Sequence, residues 1–200
     1  MNEAQAGDPL AQRELAEIYA NGVGVPVDPA AALRWYRLAA GQGDACAQSR
    51  LGRMYLLGEG VQVDFQEALS WLKRAADQGD PEAEANLAWC YQEGRAVERD
   101  YAQALQWYRR AAERGHAGAR FNLGYMHAQG IGVRRSDTEA LEWYRRAAEQ
   151  GNLKAQLNLG RMVAQGQGTA PDQEAAASWY RKAAEKGYAK AQYNLALMYA

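Results

Sequence analysis

The chain repeats itself every 36 residues, and that period leaves few folds open. Glycines fall at Gly7, Gly43, Gly79, Gly115, Gly151 and Gly187, and tryptophans at Trp35, Trp71, Trp107, Trp143 and Trp179. Leucines recur at Leu15, Leu51, Leu87, Leu123, Leu159 and Leu195, and no insertion breaks the register. A fixed period of this length marks stacked copies of one small unit, each too small to bury its own apolar face. The copies run over 7–42, 43–78, 79–114, 115–150 and 151–186, with a partial sixth at 187–200, all read as one solenoid over 1–200.

Each copy reads as two helices. Asp8, Asp44 and Asp80 stand where an N-cap is needed, and Asn152 takes that place in the fifth copy. Gly22, Gly58, Gly94, Gly130 and Gly166 can close the first helix in the left-handed conformation. Asp28, Asp64, Asp100 and Asp172 open the second, and Ser136-Asp137-Thr138-Glu139 forms a capping box in the fourth copy. Apolar residues keep helical spacing, as in Ala83, Leu87, Cys90 and Tyr91. A small residue follows each repeated leucine, at Ala16, Gly52, Ala88, Gly124, Gly160 and Ala196, where another helix can come close. The fold class is therefore all-α, a solenoid of helix-turn-helix units.

Several strings carry a resemblance. Asn158-Leu159-Gly160-Arg161-Met162, the loop from Gly58 to Asp64, and the run from Ala140 to Gly151 are similar to the Sel-one-like repeat family, a relative of the tetratricopeptide repeat. The resemblance covers nearly the whole chain. It implies a right-handed α-α superhelix whose first helices line a concave face, and an adaptor role in protein complexes, often in bacteria. Departures are local: Ala96 replaces a loop glycine, and His127 and Val163 replace the tyrosine of Tyr19, Tyr55, Tyr91 and Tyr199.

Composition excludes several roles. With 23 Lys and Arg against 24 Asp and Glu, the net charge is −1, which argues against nucleic-acid binding. No apolar run approaches the roughly 18 residues of a spanning helix, so no membrane insertion is expected. No signal peptide is visible after Met1. That does not fix the compartment: a cytoplasmic location is the favoured expectation, and a periplasmic one if a signal precedes Met1. Cys46 and Cys90 lack metal-ligand spacing and are expected as free thiols, so neither a metal nor a cofactor is called for. The loops with Gly-x-Gly close one helix and precede another, unlike a phosphate-binding turn.

Catalytic candidates are sparse. His116 stands at a first-helix cap position and is expected as an exposed turn residue. His127 occupies the core tyrosine position and is expected to be partly buried with its ring satisfied. Cys90 and His127 fall at neighbouring positions of adjacent copies, which leaves a thiol hydrolase as a less favoured alternative, although no third group marks a nucleophilic site. Carbohydrate or peptidoglycan-fragment binding through the aromatics is another.

The positions that vary are the informative ones. Shared residues fix the scaffold, so the side of the first helix that differs copy by copy is free to carry specificity. It holds Cys46, Ser49, Arg50 and Arg53 in the second copy and Glu82, Ala85, Asn86 and Trp89 in the third. The fourth and fifth carry Gly118, Phe121, Asn122 and Tyr125, then Lys154, Leu157, Asn158 and Arg161. Aromatics and arginines dominate binding energy at interfaces. The expected partner-binding set is Trp89, Tyr125, Phe121, Arg53, Arg161, Asn86, Asn122 and Asn158, holding a peptide or a helix of a partner protein without catalysis. Phe121 and the asparagines have an alternative role in helix packing. An incomplete last copy leaves an apolar face, so either the protein continues past Ala200 or that end self-associates.

Overall fold

Aspartate caps and glycine stops cut the chain into helices of nearly equal length. The structure is a computed structural model that describes residues 2–199. The short α1 (Asn2–Gln5) precedes five first-helix/second-helix pairs. These are α2 (Pro9–Asn21) with α3 (Pro29–Gly41), α4 (Ala45–Leu57) with α5 (Phe65–Asp77), and α6 (Pro81–Glu93) with α7 (Tyr101–Glu113). Then come α8 (Ala117–Gln129) with α9 (Asp137–Glu149), α10 (Leu153–Gln165) with α11 (Gln173–Glu185), and finally α12 (Ala189–Tyr199). The described residues contain no strand. Ala200, on which the expectation of an open end falls, lies outside them.

The caps form as read. The Asp8, Asp44 and Asp80 carboxylates accept from the N–H groups of Ala11, Ala47 and Ala83 at 2.7–2.8 Å. The Ser136 hydroxyl accepts from Glu139 N–H at 3.2 Å. His116 departs from its expected role, because its Nδ1 accepts from Ala119 N–H at 2.9 Å and so caps α8. An imidazole nitrogen does there what a carboxylate does elsewhere. Each first helix ends on a glycine with φ between 67° and 73°.

The loop after each first helix closes through the main chain. The N–H groups of Asp28, Asp64, Asp100, Ser136 and Asp172 donate to the carbonyls of Tyr19, Tyr55, Tyr91, His127 and Val163 at 2.9–3.0 Å. Side-chain identity at the acceptor does not enter, which is why histidine and valine stand there without a change of register.

The chain forms two compact units, residues 1–107 and 108–200. In the first, Leu51, Leu72, Leu87 and Tyr36 lie in one core with the alanine pairs Ala39-Ala40 and Ala75-Ala76. In the second, Tyr144, Leu159 and Tyr180 do so with Ala147 and Ala148. The small residue after the leucine is the close-approach point. A Cβ on Gly52 would meet Leu72 at 2.7 Å, one on Gly124 would meet the Tyr144 ring at 2.7 Å, and one on Gly160 would meet Tyr180 at 2.8 Å.

A buried amide ties successive copies in each unit. Gln48 Nε2 donates to the Ala40 carbonyl and Gln156 Nε2 to the Ala148 carbonyl, both at 3.0 Å. Arg120 Nε reaches the Ala112 carbonyl in the same manner at 3.0 Å. These bonds occupy carbonyls at the ends of the second helices, which lack intrahelical partners. Sequence reading missed them, although Gln12, Gln48, Gln156 and Gln192 recur at the period.

Candidate functional site

The first helices carry the candidate residues, and their surroundings differ between the units. In the first unit, Trp89 is partly buried and packs against the core. Arg53 is half-exposed, with Nη2 3.5 Å from Glu59 Oε1. Asn86 is partly buried, and its amide nitrogen has no hydrogen-bond partner among the described residues. Ser49 and Ala85, on the side read as variable and open, are buried instead. The open face is therefore narrower than the sequence suggested.

In the second unit, Tyr144 is the centre of the arrangement. Its ring lies 5.7 Å from Phe121 at an angle of 43°. The Asn158 side chain donates to its hydroxyl, and Arg161 and Tyr125 are close enough to perturb it. Burial is the main force pushing this hydroxyl up to about 12, against the pull of Asn158 and Arg161. Arg161 is exposed and also acts on Tyr180, whose hydroxyl receives a hydrogen bond from Asn194. Tyr125 is 43% exposed on α8, while Asn122 beside Phe121 is partly buried. The unit thus brings Phe121, Tyr125, Asn158 and Arg161 together around one phenol. Phe121 packs against the core, and Asn158 bonds within the scaffold, leaving Tyr125 and Arg161 as the outward groups.

The same geometry accounts for Asn86. Asn158 and Asn194 each follow their tyrosine, Tyr144 and Tyr180, by fourteen residues. Fourteen residues before Asn86 stands Leu72, which has no hydroxyl to offer. The buried Asn86 nitrogen therefore lacks the acceptor that its counterparts have.

The thiol chemistry considered above has no support. Cys90 is fully buried, and burial pushes its thiol up to about 11, so the nucleophilic thiolate is disfavoured. Both cysteines are free thiols. His127 is buried as expected, but its ring is not satisfied: neither nitrogen has a hydrogen-bond partner among the described residues. In the corresponding slots, Arg37 donates to the Tyr55 hydroxyl, and Arg181 to the Tyr199 hydroxyl at 2.7 Å. An imidazole is too short to repeat that bond.

Burial holds His127 below the ordinary histidine value, and Arg109 adds to this while Glu139 opposes it. Above about pH 6.5 the ring is neutral both folded and unfolded, so pH has no effect through it. As pH falls below that value the unfolded chain takes the proton first, and stability is lost down to the folded value. His127→Tyr is expected to remove this loss and to supply an acceptor for Arg109. Urea midpoints at pH 7.5 and 5.5 check it: the variant's midpoint falls less on acidification than that of the parent protein. An equal fall in both would rule out His127 as the source.

These features define a class, the α-solenoid built from capped helix pairs. The chain belongs to the Sel1 repeat family: the Sel1 repeat pattern matches residues 9–44, 47–80, 81–116, 117–152, 153–188 and 189–200. It is 40% identical to a protective antigen of uropathogenic Escherichia coli with an SLR fold, at a TM-score of 0.86. That match covers 96% of this chain but only 41% of the antigen. A Sel1 repeat protein from Oxalobacter formigenes is 37% identical, with a TM-score of 0.91, covering 98% of this chain and 80% of the other. No curated protein matches the sequence. Sel1 repeat proteins are in general non-enzymatic scaffolds that bind other proteins.

Proposed function

We propose that this protein is a non-enzymatic adaptor that holds a peptide or helix of a partner protein against the faces of its first helices. The family's general role supports the reading. The observation that carries it is the second unit's exposed pair, Tyr125 and Arg161, held beside a buried, hydrogen-bonded Tyr144. A rigid seat under an exposed aromatic and a guanidinium lowers the entropic cost of binding, and these residue types give the largest losses on truncation at interfaces. Phe121, Asn122 and Asn158 support that seat, and Trp89, Arg53 and Asn86 are the first unit's contribution. The arginines select acidic or polar flanks on the partner.

The test is a quantitative pull-down from the native proteome with the full-length protein and with Trp89→Ala, Tyr125→Ala and Arg161→Ala. Losses above about tenfold are expected for Tyr125→Ala, with unchanged helicity by circular dichroism. Recovery of the same partner at the same level by all three variants would defeat the assignment of these residues.

A further inference from the structure

The first unit contains a cleft of about 440 Å³ between α2, α3 and α4. Its walls include Glu17, Tyr36, Arg50, Arg53 and Glu59. Tyr36 is only 3% exposed, yet it borders this cleft. In the second unit the matching tyrosines, Tyr144 and Tyr180, receive hydrogen bonds from Asn158 and Asn194. Arg50 stands at that asparagine position beside Tyr36. Its charge and that of Arg53 both act on the Tyr36 hydroxyl, which makes no hydrogen bond to another described residue. Arg50 makes no ion pair among the described residues, and Arg53 has only the long 3.5 Å contact with Glu59.

We infer that this cleft is a carboxylate-binding site, in which the Tyr36 hydroxyl and the guanidinium groups of Arg50 and Arg53 donate to one carboxylate of the partner protein. The inference rests on the proposed adaptor role and names the chemistry the first unit selects. Burial, with Glu17 nearby, pushes Tyr36 up to about 12, so its hydroxyl stays a donor at neutral pH. Two arginines provide planar, always-charged donors suited to a carboxylate. Glu17 and Glu59 keep the cleft near electrical balance, which disfavours a dianion such as phosphate relative to a single carboxylate. The C-terminus of a partner and an Asp or Glu side group present the same carboxylate, so both sources fit.

The experiment is a titration of the full-length protein followed by NMR on the Arg50 and Arg53 Nε–H signals. The probes are N-acetyl-glycylglycine, N-acetyl-glutamate α-amide, N-acetyl-glycinamide and inorganic phosphate. Saturable shifts with the first probe assign a C-terminus, and with the second an acidic side group; either supports the site. Arg50→Asn installs the residue found in the third to sixth copies and is expected to weaken binding about tenfold or more, and Tyr36→Phe about threefold to tenfold. Equal shifts with the neutral amide, tighter binding of phosphate than of either carboxylate, or unchanged binding in both variants with helicity intact would overturn the assignment. Failure here with the Tyr125-dependent pull-down intact would remove the cleft and leave the adaptor role standing.

Discussion

Gly60→Ala is expected to destabilise the protein by about 2–5 kcal/mol. Gly60 holds φ at +71°, in the left-handed region, which costs a residue with a Cβ about 1–2 kcal/mol. The new Cβ would also lie 2.6 Å from the carbonyl carbon and oxygen of Pro29, the first residue of α3. Backbone atoms at a helix start cannot swing aside as a side-chain end can, so the loop must shift, adding about 1–3 kcal/mol. Ala96 provides the contrast. It occupies the same loop position in the third copy at φ 60°, the one non-glycine residue with positive φ among those described. There the methyl is already packed against the core, and Gln66 Nε2 donates to the Ala96 carbonyl at 3.2 Å. Relief of strain in Ala96→Gly is offset by loss of a packed methyl and a more flexible unfolded state, so its net effect is below about 1 kcal/mol. Urea midpoints of the two variants should therefore differ sharply. An unchanged Gly60→Ala midpoint would show that the loop moves freely.

Gly124→Leu is expected to cost about 3 kcal/mol and to weaken partner binding as well. Its Cβ would fall 2.7 Å from Cδ1 of Tyr144, and the remaining side-chain atoms would push further into the ring. Tyr144 cannot retreat without disturbing Phe121 and Asn158, and Tyr125 and Arg161 lie close to the same ring. Gly124→Ala should be milder than leucine but not neutral: its Cβ makes the same 2.7 Å approach to the Tyr144 ring, offset in part by alanine's helix preference of about 1 kcal/mol, and Ala16 and Ala88 stand at the same place in the period. Thermal unfolding measures the first effect and the pull-down the second. A Gly124→Leu variant that melts early yet binds normally would separate the Tyr144 cluster from recognition.

Helix boundaries, caps and the leucine core were legible because each depends on residues a few positions apart, and the period repeats the message. Contacts between copies were harder to read. The burial of Ser49 and Ala85 depends on how closely the neighbouring helix approaches, which hydrophobic spacing within one helix does not encode. The hydrogen bond from Asn158 to Tyr144 joins residues fourteen apart on different helices, and only comparison across copies exposes it. Asn86 was grouped with its counterparts by sequence, yet Leu72 changes its situation entirely. His116 looked like a plain turn residue because imidazole is an uncommon cap. The cleft at Tyr36 stayed hidden for a related reason: Arg50 breaks the asparagine pattern, and the effect appears only where the tyrosine hydroxyl is left without a partner.

The closing of each loop by backbone groups alone has a consequence for how such a protein can diversify. Because the acceptor is a carbonyl, Tyr19, Tyr55, Tyr91, His127 and Val163 all serve the same latch while differing in size, polarity and charge state. Mutation can retune acidity response or local rigidity at one module without disturbing the spacing of the rest. The architecture thus separates what keeps the modules in step from what lets each acquire its own character.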